Sequence, residues 1–285
     1  MPLRMHAADG VVLAGERWSG TAATAIMAHG FGQTRQSWQR TAERLCAHGY
    51  AAISYDARGH GESGRNCADM PYQPAQWVAD LQRLAAQTSG PRVLIGASMG
   101  GLVGLLAQAA QAPFAAMVLV DITPRWEASG FERILGFMRA HPDGFASHNE
   151  AANAISDHLP HRNTRKTPQQ LASLLVKRAD GRLIWHWDPR LLDDLPAHSE
   201  PLQQQLVEVV AQTRVPLLLV SGGRSDLVSA QTVREFLALV PHANHVAIPN
   251  ATHMVAGDDN TTFTAAILCF LDSPAVRTAL SGETS

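Results

Sequence analysis

The 285-residue sequence predicts an α/β fold built from parallel βαβ units, with a helical segment inserted late in the chain. Three observations predict it. Short apolar runs of strand length alternate with amphipathic helical stretches up to residue 122 and again from residue 213, which is the rhythm of parallel βαβ units. Between them, over 123–212, buried strand patterns vanish and prolines at 142, 160, 168, 189, 196 and 201 punctuate helical stretches. Finally, the polar and glycine-rich clusters each follow an apolar run, where sheets of this kind place their ligand sites.

The elements follow in order. Val11 to Trp18 has the pattern of a short strand pair or edge hairpin. Ala25-Ile26-Met27-Ala28 is the first buried strand, and it runs into His29-Gly30-Phe31-Gly32-Gln33. A helix follows with Trp38, Ala42, Leu45 and Cys46 near one face, closed by Gly49 as a C-cap. Ala51 to Tyr55 is the next strand and leads into Asp56-Ala57-Arg58-Gly59-His60-Gly61-Glu62-Ser63-Gly64. From Pro74, Trp77, Leu81 and Leu84 share a helical face. Val93-Leu94-Ile95 is a strand, Leu102 to Leu106 a buried helix, and Ala116 to Val120 a strand ending at Asp121. Phe131 to Met138, Leu171 to Leu175 and Leu206 to Val210 suggest helices in the insertion. The alternation resumes with a strand at Val215 to Val220, a helix from Ser229 to Leu239, a strand near His245 to Ile248 and a last helix from about Asp259 to Leu271, before a polar tail from Ser281 to Ser285.

Composition bounds the function. Hydrophobic residues make up 46% and charged residues 17%, which suits a packed globule rather than disorder. A net charge of −2 gives no electrostatic footprint for nucleic acid or an anionic membrane. Cys46, Cys67 and Cys269 have neither an even count nor CxxC spacing, so no disulfide framework or zinc site is expected, and Cys46 and Cys269 are expected as buried thiols. No signal-peptide pattern or membrane-length apolar run is seen, so a cytoplasmic location is expected. Oligomeric state is left open.

The stretch joining the third strand to its helix, Gly96-Ala97-Ser98-Met99-Gly100, has the form of a nucleophile elbow. A serine on so sharp a turn sits in strained backbone, and crowding around it calls for residues without Cβ. A serine nucleophile needs a base, and the base needs an orienting group. His253, shortly after the last predicted strand, is the expected base. Asp226, directly after the preceding strand, is the expected acid, with Asp121 as its rival because it also ends a strand. The order Ser98, Asp226, His253 matches a known triad order.

With these residues in place, the chain resembles the α/β-hydrolase superfamily, in its cap-bearing serine branch of esterases, lactonases and cofactor-free haloperoxidase-like enzymes related to epoxide hydrolases. The matching pieces are His29-Gly30-Phe31-Gly32, Asp56-x-Arg58-Gly59-x-Gly61-x-Ser63, the elbow, Asp226 and His253. The resemblance implies an α/β-hydrolase fold, with an eight-stranded, mostly parallel sheet, helices on both faces and a cap. It divides the chain into core at 1–122 and 213–285 and cap at 123–212. The backbone N–H groups of Phe31 and Met99 would form the oxyanion hole.

His29, Arg58 and His60 are expected to organise loops. Trp38, Trp126, Trp185 and Trp187 are candidates for the pocket wall, although Trp185 and Trp187 could equally pack the cap onto the core. The basic run His158, His161, Arg162, Arg165 and Lys166 is either a solvated face or a dock for an acidic group. Serine rather than aspartate at the elbow argues against an alkyl-enzyme ester and for acyl transfer. The leading expectation is a hydrolase of a small carboxylic ester or lactone, needing no cofactor and no metal. The alternatives are a thioesterase, a cofactor-free oxygenase or lyase, and a ligand sensor on the same fold.

Overall fold

The computed structural model describes residues 1–158, 167–193, 195–258 and 260–282. His161, Arg162, Arg165, Lys166, Asp259 and the last three residues lie outside the described residues.

The expected alternation forms one sheet. Its strands are β1 (Pro2–His6), β2 (Val12–Trp18), β3 (Thr24–Ala28), β4 (Ala51–Tyr55), β5 (Arg92–Ala97) and β6 (Ala116–Val120), joined after the insertion by two more. The insertion holds a separate hairpin of β7 (Leu175–Lys177) and β8 (Leu183–Trp185), so those last two are β9 (Leu217–Gly222) and β10 (Asn244–Ile248). The eight strands run in the order β1-β2-β4-β3-β5-β6-β9-β10. β1 and β2 pair antiparallel, as do β2 and β4, and every other neighbour pair is parallel. The edge pair predicted near Val11 exists, but its outer strand lies upstream at Pro2–His6.

Helices α1 (Gln39–Ala47), α2 (Pro74–Ala86) and α3 (Met99–Gln111) link the first strands. α2 starts with Pro74 in its first turn and a Gln73–Gln76 capping box, which satisfies backbone donors the helix cannot satisfy itself. The insertion carries α4 (Ala128–Arg139), α5 (His148–His158), α6 (Pro168–Ala172) and α7 (Leu195–Gln212). α8 (Ala230–Leu239), α9 (Val255–Asp258), α10 (Asn260–Leu271) and α11 (Pro274–Ser281) complete the chain.

The sheet separates two apolar layers. Along β3, Ile26 and Ala28 face one layer and Ala25 and Met27 the other. On β5, Leu94 faces the first, and Val93 and Ile95 the second. Both faces are covered, so β3 and β6 are buried at every residue and read as continuous apolar runs. Each fully buried Leu or Ile contributes roughly 1.5–3 kcal/mol.

Three details depart from expectation. The insertion is not purely helical: the β7–β8 hairpin is extended by a bridge between Phe145 and Leu183. Its final helix, α7, packs against α3 and α8 of the core. Cys269 is exposed, on the solvent side of its helix, and Cys46 is half-buried at the margin of its helix's apolar face, so neither is the core thiol expected. Among the described residues no single helix is long and apolar enough to cross a membrane.

Candidate active site

Register brings the strand-end clusters together. Ala28 pairs with Gly96, so the loop after β3 lies beside the turn after β5. A Cβ on Gly100 would sit 2.3 Å from the Ala28 carbonyl oxygen, and one on Gly96 would sit 2.7 Å from the Gly100 backbone. Crowding therefore demands glycine at both ends of the elbow, as the pentapeptide implies. Ser98 adopts φ 45°, ψ −116°, a conformation L-residues avoid. Its backbone N–H donates to the Val120 carbonyl at 3.0 Å, which fixes the turn against the end of β6. Met99 opens α3, where the first N–H groups of a helix have no partner within it.

His253 lies beyond β10 and its Nδ1 is 2.7 Å from Asp121 Oδ2. The Asp121 carboxylate is fully buried and shares its load between both oxygens. Oδ1 accepts the Gly222 N–H at 2.7 Å, and Oδ2 accepts the Ser225 hydroxyl as well as the His253 ring N–H. Three donors aimed at one carboxylate hold it in place. Asp121 itself has φ 49°, a region aspartate tolerates better than most residues.

The acid facing His253 is thus Asp121, and the expectation of Asp226 is corrected. The physical reason lies in the chain after β9. Gly223 N–H donates to Ile248 O at 2.8 Å and Arg224 N–H to Ala251 O at 2.9 Å, which straps this loop to the β10 loop. The turn then presents the Ser225 hydroxyl to Asp121 and carries Asp226 one residue too far. Asp226 instead pairs with Arg133 on α4. Ser225 carried no sequence signal, whereas Asp121 was visible as a strand-end aspartate.

Ser98, His253, Phe31 and Met99 all line one cavity of about 790 Å³, within the range of small-molecule sites. A Cβ placed on Gly30 would contact Ser98 Cβ at 3.4 Å, so the loop carrying Phe31 adjoins the serine. In that loop, Gln33 Nε2 lies 3.1 Å from the sulfur of Met254, next to His253. His29 is almost fully buried. Its Nε2 accepts the Ala57 N–H at 2.9 Å, so Nδ1 carries the proton and donates to Gly30 O at 2.8 Å. Burial pushes its pKa down and keeps it neutral.

Arg58 is buried among Asp80, Asp9 and Asn66, away from the cavity. Burial drives the pKa of His60 well below its ordinary value.

The four candidate tryptophans, Trp38, Trp126, Trp185 and Trp187, all border the cavity. Trp38 is also a core residue, packed on Phe263. Trp185 and Trp187 stack with ring centres 4.7 Å apart, and Trp187 also faces Phe31. Both rings thus line the cavity while packing on each other, and Trp187 on the loop that carries Phe31. The rest of the lining is largely apolar, including Phe131, Ile134, Phe137 and Leu202 from the insertion. Polar groups at the cavity include Arg133, Asp226 and His158, the one described member of the basic run. His158 stacks on Phe137, and burial, with the Arg133 charge, pushes its pKa down. Among the described residues no three His, Cys, Asp or Glu side chains gather as a metal site requires.

A fold of this topology, with a serine elbow and a histidine paired with a buried aspartate, the serine and histidine lining one cavity, defines a class. The chain belongs to the alpha/beta hydrolase family, whose model it matches over residues 25–267. It is similar to a 3-hydroxybutyrate-oligomer hydrolase of Cupriavidus necator, 29% identical over 248 residues that cover 80% of this chain and 81% of that protein. An esterase of Mycobacterium tuberculosis is 27% identical over 253 residues, covering 85% of this chain and 80% of that protein. Among solved structures, an alpha/beta hydrolase from Novosphingobium aromaticivorans superposes with a TM-score of 0.80 at 27% identity, covering 95% of this chain and 98% of that one.

Proposed function

We propose that this protein is a serine hydrolase that cleaves a small, partly apolar carboxylic ester or lactone through an acyl-enzyme. The observation that carries the proposal is the 2.7 Å contact of buried Asp121 with His253, which lines the same cavity as Ser98. Similarity to an oligomer hydrolase and an esterase supports ester cleavage. The apolar lining supports a substrate with a hydrocarbon portion.

With Nδ1–H committed to Asp121, His253 Nε2 has a free lone pair and takes the Ser98 proton as the hydroxyl attacks the carbonyl. Negative charge gathers on the carbonyl oxygen and is held by the N–H groups of Phe31 and Met99. Each such donor is worth roughly 10²–10³ in turnover. The imidazolium formed is stabilised by Asp121 and then protonates the leaving alcohol. Water, deprotonated by the same His253, releases the acid and restores Ser98.

The test is a panel of p-nitrophenyl esters, aliphatic lactones and acyl thioesters against wild type and Ser98→Ala. Turnover of an ester or lactone that vanishes in Ser98→Ala is expected. Turnover confined to thioesters would move the substrate class, and hydrolysis that survives Ser98→Ala would remove the nucleophile.

A further inference from the structure

His186, the middle residue of Trp185-His186-Trp187, lies in the insertion yet takes no part in the proton relay. It is buried, with 3% of its surface exposed. Gly61 N–H, from the loop after β4, points at its Nδ1 at 2.7 Å. A backbone N–H can only donate, so Nδ1 holds a lone pair and the ring proton sits on Nε2. Nε2 lies 3.2 Å from the Gly32 carbonyl oxygen and donates to it.

Gly32 follows Phe31, whose N–H is one of the two assigned oxyanion donors. The loop is thus gripped on both sides of Phe31: His29 donates to Gly30 O from the core, and His186 donates to Gly32 O from the cap. Trp187 packs on the same place, since a Cβ on Gly32 would lie 3.2 Å from its ring. The backbone that carries His186 is itself fixed. Its backbone N–H donates to Leu174 O at 3.1 Å, and the next residue but one, Asp188, donates its backbone N–H to Gly59 O at 2.8 Å.

We propose that His186 is a positioning residue that sets the Phe31 N–H for the oxyanion and makes the oxyanion hole depend on a docked cap. The proposal rests on the acyl-enzyme mechanism above. A donor displaced by as little as an ångström loses much of its effect, so the consequence falls on turnover and not on substrate binding.

Three variants separate this role from plain packing. His186→Gln keeps an N–H donor within reach of Gly32. His186→Asn keeps an acceptor for Gly61 but is too short to reach Gly32. His186→Met matches glutamine in length without a donor and serves if the asparagine variant does not fold. Each is measured for kcat and KM on p-nitrophenyl butyrate, for inhibition by an alkyl boronic acid, which forms a tetrahedral anion on serine, and for thermal midpoint.

Expected are a kcat loss of about tenfold or more in the asparagine and methionine variants, with KM within twofold, a parallel weakening of boronate inhibition, and recovery to within about threefold in glutamine. Equal losses in all three variants, losses confined to KM, or an unchanged kcat in asparagine and methionine would overturn it. Labelling of wild-type Ser98 by a fluorophosphonate separates the two levels: without it the acyl-enzyme mechanism fails, and with it only the role of His186 is at stake.

Discussion

Replacing Asp121 by asparagine is the perturbation whose cost the geometry defines most fully. The carboxylate accepts three hydrogen bonds and donates none, with Gly222 N–H on Oδ1 and Ser225 Oγ and His253 Nδ1 on Oδ2. Asparagine has one acceptor and one donor end. Keeping the Gly222 bond turns its NH₂ toward His253 and Ser225. The imidazole must then accept at Nδ1, which moves its proton to Nε2 and removes the lone pair that the proposed mechanism uses on Ser98. Ser225 cannot easily compensate, because its oxygen already accepts the N–H groups of Leu227 and Val228. A wrong tautomer in such a triad costs on the order of 10⁴ in turnover, or about 5 kcal/mol in the barrier. Asp226→Asn breaks only the pair with Arg133, whose side chain is 51% exposed. An ion pair so exposed contributes about 1 kcal/mol or less to stability, and turnover should stay within a few-fold. The assay is steady-state hydrolysis of p-nitrophenyl butyrate, with active sites counted in each preparation. A larger loss in Asp226→Asn than in Asp121→Asn would refute the assignment of the acid.

Other consequences follow from burial and crowding. His186 is pushed down to about 4 by burial, and His29 and His60 are also lowered for the same reason. In the unfolded chain they titrate near 6.5, so below that pH the unfolded state binds more protons and stability falls as pH drops toward 4. The His186 share is roughly 3 kcal/mol, and urea titrations from pH 7 to 4 should show it, with a shallower decline in His186→Gln. Gly100→Ala drives a methyl group to 2.3 Å from Ala28 O in the sheet; a loss of about 3 kcal/mol or more is expected by thermal unfolding, and an unchanged midpoint would contradict the packing of the elbow. Asp80→Ala leaves buried Arg58 without the carboxylate that holds both its Nε and Nη2, and a loss of about 3 kcal/mol is expected in urea unfolding.

What the sequence could reveal depended on whether the signal was local. β3 and β6 are buried on both faces and therefore appear as unbroken apolar runs. The sharp turn at Ser98 was legible because it demands glycine at Gly96 and Gly100, and the place of His253 because it follows the last strand of the sheet. Which carboxylate contacts His253 was not, since Asp121 and Asp226 both follow strands and their sequence contexts are alike. The decision lies in the strapping of 223 and 224 to the β10 loop, a contact across about 25 residues of chain. The β7–β8 hairpin escaped for another reason: strands of three residues are too short to show a period. His186 was noticed only as part of an aromatic tripeptide, because its meaning depends on Gly32, 154 residues away.

The central claim is that Ser98 is a nucleophile driven by His253 and Asp121. Its most direct test is the rate and site of fluorophosphonate labelling, followed by peptide mass spectrometry. The adduct is expected on Ser98 and absent in Ser98→Ala, with labelling slowed strongly by Asp121→Asn and hardly at all by Asp226→Asn. An adduct on another residue, or well-folded wild type that takes no label, would contradict it.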